Sequence, residues 1–245
     1  MDEKDIIKIK NEILEFDIFF GNILSDLDLE KYDLEKYKKI IYINCSFNEI
    51  KKILNLPINI QKINCSFNKI INLENYFNND YIKLLNLQEL NCSNNNISEI
   101  NFFPNNLIEL NCSHNKLIQL NYLPEMLSKL NCSFNKIKNL NNLPNNLTEL
   151  YCHSNEIMSL DNLPNKLIIL DCSINQIINL DYLPNNIINL DCSENIIVNL
   201  DNLPNSIINI KCQKNKIKKS YLPKNIKNIE CEYIYNNNSI KNQIY

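Results

Sequence analysis

Residues 107–124 read LIELNCSHNKLIQLNYLP, and how they are read decides the fold. Taken alone, Cys112 and His114 invite metal or thiol chemistry. Residues 147–164, LTELYCHSNEIMSLDNLP, repeat the invitation with Cys152 beside His153, and these are the chain's two histidines. Set against the rest of the 245 residues, the stretch becomes one copy among many. Cysteines fall at 45, 65, 92, 112, 132, 152, 172, 192, 212 and 231, spaced by 20 residues except for one step of 27 and a last step of 19. Self-similarity at such a period marks a solenoid, in which each short unit buries its apolar face against its neighbours.

Units begin at Ile40, Ile60, Leu87, Leu107, Leu127, Leu147, Leu167, Ile187, Ile207 and Ile226. Their common pattern is L-x-x-L-x-C-x-x-N-x-I-x-x-L-x-x-L-P-x-x. It resembles a leucine-rich repeat, L-x-x-L-x-L-x-x-N-x-L, and most of all the short bacterial-type repeats that carry L-P near the end. The systematic departure is Cys where that family has a strand Leu. The resemblance covers about residues 40–235. It implies an α/β-type solenoid: a curved array with a parallel β-sheet on the concave face and short extended or turn segments on the convex side.

The residues support the same layout independently. In the unit from Leu107, the apolar positions are Leu107, Leu110, Cys112, Leu117, Leu120 and Leu123. Leu110 and Cys112 stand two apart, so both leave one face of a short strand, and Glu109, Asn111 and Ser113 are expected on the solvent face. Asn48, Asn68, Asn95, Asn115, Asn135, Asn155, Asn175, Asn195 and Asn215 form a second ladder, whose inward amides would satisfy backbone groups at the turn leaving each strand. Prolines recur at 57, 104, 124, 144, 164, 184, 204 and 223, where the returning chain needs no ladder donor. The return is about eleven residues long, which leaves little room for full helices.

The ends depart from the period. Residues 1–39 suggest one or two short amphipathic helices around Gly21, the single glycine, acting as an N-terminal cap over the first coil. The solenoid is expected over 40–235, with an insertion near 74–86 whose Tyr76, Phe77 and Tyr81 are a candidate contact feature. Ser220 and Ile234 mark decay of the pattern, and residues 236–245 read as a tail or cap.

Composition narrows the function. A formal charge of -3 gives no general basis for binding nucleic acid, although Lys211, Lys214, Lys216, Lys218, Lys219, Lys224 and Lys227 make the far end basic. No stretch has the make-up of a signal peptide or a membrane span. The evenly spaced cysteines therefore read as reduced thiols in an intracellular, cytoplasmic protein. Cysteine serves here as a small buried hydrophobe. A straight column of thiols offers zinc no tetrahedral convergence, so neither metal nor cofactor is expected. Acidic residues recur on an exposed face rather than as paired acid–base groups, so no enzyme is expected either. The bacterial-type repeats are sometimes joined to a catalytic ubiquitin-ligase domain, but the repeats here take up nearly the whole sequence.

What remains is the concave, outward face of the sheet. Candidate partner-binding residues are Tyr42, Phe47, Phe67, Glu109, His114, Phe134, Glu149, Tyr151, Ile169, Asp171, Ile174 and Asp191. Aromatic and aliphatic anchors among polar neighbours are what protein interfaces use. The expected function is non-catalytic recognition of a protein or peptide. The competing class is a structural or assembly protein that self-associates or packs into a larger particle.

Overall fold

The computed structural model describes residues 6–10, 13–17, 26–28, 40–54, 56–73, 85–217 and 222–231. The chain forms two compact units, Met1–Leu117 with Asn121–Leu127, and Ile118–Leu120 with Ser128–Tyr245. In the first, β1 (Ile6–Lys10) and β2 (Ile13–Asp17) make an antiparallel pair, and β2 runs parallel to β4 (Ile40–Asn44). The parallel ladder continues through β6 (Lys62–Asn64), β7 (Glu89–Asn91) and β8 (Glu109–Asn111). A separate two-stranded ladder joins β3 (Asp26–Asp28) to β5 (Lys52–Leu54).

The second unit is a parallel ladder of β9 (Lys129–Asn131), β10 (Glu149–Tyr151), β11 (Ile169–Asp171), β12 (Asn189–Asp191), β13 (Asn209–Lys211) and β14 (Asn228–Glu230). Register follows the sequence period. Glu149 pairs with Ile169 and Ile169 with Asn189, while the last step pairs Asn209 with Asn228, shortened by one residue as the cysteine spacing is.

In the coil from Leu167 the core is filled by the positions that the pattern names. Leu167, Leu170, Cys172, Ile177, Leu180 and Leu183 are all buried. Burying such a leucine or isoleucine contributes roughly 1.5–3 kcal/mol, and no coil can do this without its neighbours. The returning chain closes in a tight turn, with Leu127 N–H donating to Pro124 O at 3.0 Å and Leu167 N–H to Pro164 O at 3.1 Å. Beyond the strands, the ladder between coils continues from Cys152 N–H to Asp171 O at 2.8 Å and from Ser154 N–H to Ser173 O at 3.0 Å.

This architecture corrects the α/β expectation. The described residues contain strands and turns and no helix. The return segments are closed by proline turns and do not extend to one helical turn of i→i+4 bonds. Of the N-terminal stretch expected to be helical, Ile6–Lys10, Ile13–Asp17 and Asp26–Asp28 are strands, while Gly21 and the residues beside it lie outside the described residues. IIKIK is rich in β-branched isoleucine, ILEFD alternates apolar Leu14 and Phe16 with acidic Glu15 and Asp17, and this two-residue alternation outweighs the looser helical spacing. Tyr76, Phe77, Tyr81, Ser220, Ile234 and residues 236–245 lie outside the described residues.

Among the described residues, nine coils turn a left-handed corner directly before the ladder asparagine. Phe47, Phe67, Asn94, His114, Phe134, Ser154, Ile174, Glu194 and Lys214 all have φ between 52° and 58°. Such corners favour glycine or asparagine, because a Cβ crowds the following carbonyl. With Gly21 the protein's one glycine, each of these corners carries a side chain, and those of Phe47, Phe67, His114, Phe134, Ile174, Glu194 and Lys214 are exposed.

Candidate functional site

The outward surface of each unit consists of two strand rows and the row of corners. Part of it is structural in a way the sequence pattern did not suggest. In the motif Asx-Cys-Ser, the Asx Oδ1 accepts both the N–H and the hydroxyl of the serine two residues on. Asn131 accepts from Ser133 N at 3.1 Å and Oγ at 2.8 Å, and Asp171 accepts from Ser173 at 3.1 Å and 2.7 Å. Asn44, Asn64, Asn111 and Asp191 make the same two bonds. These serines are therefore not on the solvent face: Ser46, Ser66, Ser113, Ser133 and Ser173 are buried.

The coil from Leu147 breaks this brace, replacing Asx with Tyr151 and Ser with His153. The Tyr151 hydroxyl donates instead to Glu149 Oε2 at 3.1 Å. Partial burial and the Glu149 carboxylate together raise the phenol's pKa above its ordinary value. His153 meets the ring of Phe134 edge-on, with centroids 4.8 Å apart and planes at 82°. The substitutions thus link the strand of one coil to the corner of the coil before it.

Most polar groups on the second unit's face have partners on a neighbouring coil. Lys129 pairs with Glu149 at 3.4 Å, Lys211 with Glu230 at 3.4 Å, and Lys214 with Glu194 at 3.0 Å. Asn189, Asn209 and Asn228 bond side chain to side chain as a ladder. Four of the sequence candidates fall together between these pairs. Ile169 and Asp171 stand on β11, Asp191 stands opposite Asp171 on β12, and Ile174 occupies the corner after β11. Asp171 and Asp191 use Oδ1 in their serine braces, and neither is in an ion pair among the described residues. Ile174 is 46% exposed at φ 52°. Phe134 and Tyr151 flank this group on the β9 and β10 side, in the same unit.

The first unit holds the remaining candidates. Phe47 and Phe67 stack face to face, with centroids 4.3 Å apart and planes at 8°, while both remain exposed. Tyr42 is half-buried on β4, in register with Lys62, which bonds Glu89 at 2.6 Å and has its pKa raised chiefly by that bond. Glu109 and His114 are exposed on and beyond β8.

The thiols that opened the question lie on the opposite face. Cys45, Cys65, Cys92, Cys112, Cys132, Cys152, Cys172 and Cys192 are buried thiols outside any disulfide. Burial pushes the Cys65 and Cys112 thiols up to about 12, so they remain neutral at ordinary pH. The Sγ of Cys172 points at Asp191 O, 3.4 Å away in the next coil. At the end of the column Cys212 and Cys231 stand side by side with Cα atoms 4.7 Å apart, within the span that a disulfide can bridge. His114 is exposed while Cys112 is buried, and His153 is half-buried beside Phe134. Among the described residues, no group of three or more His, Cys, Asp or Glu side chains could hold a metal ion. No helix of the described residues is long and apolar enough to cross a membrane.

No protein-family model and no curated protein matches the chain. Solved structures do match. YopM from Yersinia enterocolitica WA-314 is 30% identical with a TM-score of 0.72, over 80% of this chain and 43% of that one. The functional domain of InlJ from Listeria monocytogenes, which includes a cysteine ladder, is 28% identical with a TM-score of 0.69, over 89% of this chain and 48% of that one. YopM of Yersinia pestis, a leucine-rich effector protein, is 25% identical with a TM-score of 0.70, over 80% of this chain and 61% of that one. The chain thus has a leucine-rich-repeat-like β-solenoid fold related to bacterial leucine-rich-repeat proteins. It spans 43% to 61% of the length of these three relatives.

Proposed function

We propose that the chain is a non-catalytic recognition module that binds a protein or peptide on its outward sheet face, chiefly across β10–β12 and the corners beside them. One observation carries this. Ile174 is β-branched, left-handed at φ 52° and exposed, so its backbone costs about 1–2 kcal/mol relative to glycine while its side chain is only half covered. Asn94 occupies the equivalent corner at φ 54°, so the fold itself does not require an aliphatic residue there. An apolar side chain kept at a corner that disfavours it is explained by a partner that covers it.

The likeness to a leucine-rich effector protein and to InlJ supports a recognition role on the same kind of scaffold, and the tightly paired surroundings supply a rigid rim. The test is selection of random twelve-residue peptides displayed on phage against the whole chain. Selected peptides should lose binding to a Tyr151→Asp, Ile169→Asp double variant whose unfolding transition matches wild type. Peptides held equally by both proteins would place recognition elsewhere.

A further inference from the structure

We infer that the segment bound on β11 and β12 is an extended peptide with an arginine or lysine set among apolar residues. The inference rests on the outward face being the binding surface. It starts from a comparison among the chain's own coils. Asn44, Asn64, Asn111 and Asn131 brace their serines through Oδ1 with the geometry that Asp171 and Asp191 use. Asparagine therefore suffices for the fold at this position. Aspartate adds only a negative charge, and it does so on two strands in direct register. Like charges opposite one another are unfavourable, so the bare scaffold loses by this choice.

The neighbouring cation does not relieve it. Lys211 is the register partner of Asp191, yet its ammonium pairs with Glu230 at 3.4 Å. On the other side, the register partner of Asp171 is Tyr151, a neutral phenol whose hydroxyl is turned to Glu149. The two carboxylates are thus left between satisfied pairs, each with one oxygen committed to a serine. Ile169, two residues before Asp171 on the same strand face, and Ile174, at the corner beyond, place apolar contacts at either end of the acidic rung. A cationic side chain from the partner would lie against the rung while its apolar neighbours cover Ile169 and Ile174. A guanidinium matches two adjacent carboxylates through its fork of donors.

The probes are three pools of nine-residue peptides, X-X-Leu-X-Arg-X-Leu-X-X and the same design with Gln or Glu at the centre, where X is an equimolar mixture without Cys. Binding to the whole chain is read by fluorescence anisotropy. Wild type should prefer the Arg pool to the Gln pool by about five- to tenfold, as expected for a pair of half-buried ion contacts. Asp171→Asn, Asp191→Asn should abolish that preference without changing the unfolding midpoint adversely, and Ile174→Asn should weaken all pools alike. An Arg preference that survives the aspartate substitutions overturns the inference, as do pools that bind equally well. If the pools bind equally and Ile174→Asn still weakens them, the surface stands and only its basic occupant fails. If wild type itself dimerises in sedimentation and the aspartate variant does not, the occupant is a second copy of the chain, and the peptide inference is overturned.

Discussion

Asn175 Oδ1 accepts the backbone N–H of Ile157, eighteen residues earlier, at 2.9 Å, while its amide donates to Cys152 O and Cys172 O at 3.1 Å each. One side chain thus fastens two coils, and the same arrangement recurs at Asn155, Asn195 and Asn215. Asn175→Ala should destabilise the chain by about 1–3 kcal/mol in urea unfolding, since it orphans groups that water does not reach. Asn185→Ala, at an exposed turn, should change stability by less than about 0.5 kcal/mol.

The serine braces make a finer distinction testable. Ser173→Ala removes a buried hydroxyl that donates to Asp171, and should cost about 1 kcal/mol. Asp171→Asn preserves the acceptor and removes repulsion with Asp191, so stability should be equal or slightly higher by the same measurement. A large loss in Asp171→Asn would show that the charge itself holds the coil together.

The buried thiols set the pH response at the alkaline end. Their folded pKa values lie above the ordinary thiol value of about 8.5. Above that value the unfolded chain releases protons that the folded chain retains, so unfolding becomes more favourable. The contribution is complete below about pH 8.5 and declines as pH rises toward about 12, the folded value for Cys65 and Cys112. Urea midpoints measured at pH 7.5 and 10 should therefore fall with pH. At pH 8, iodoacetamide should leave Cys65 and Cys112 unmodified in the folded chain and alkylate them in urea, as mass spectrometry of peptides would show.

The repeat unit, the buried positions and the strand register could be read from the sequence because one period governs all three. Leu110 and Cys112 sit on one face wherever they recur, and a 20-residue offset pairs Glu149 with Ile169 as the spacing requires. The strands at Ile6–Lys10 and Ile13–Asp17 were not legible, because Ile6, Ile7, Ile13 and Leu14 satisfy helical spacing as well as the shorter alternation. Pairing with β4 is a non-local contact that no local pattern reveals.

The outward face was legible only as a set of rows. That Asn111 and Asp171 are turn braces depends on a serine hydroxyl turning inward, which alternation alone places on the wrong side. The left-handed corners left a signal that could have been used: from Cys45 to Cys212, each cysteine is followed three residues later by the ladder Asn, with the corner residue directly before it, in a chain almost without glycine. Once φ is known there, Ile174 changes from one exposed aliphatic residue among many to the costliest choice on the surface.

Ile174→Asn tests the central claim most directly, because it separates stability from recognition. Asparagine accepts the left-handed corner, as Asn94 does at φ 54°, so unfolding free energy should rise by about 1 kcal/mol. Binding of a peptide selected on the wild-type chain should weaken by about tenfold at the same time. A variant that is less stable yet binds unchanged would mean that Ile174 packs for the fold, and would contradict the account.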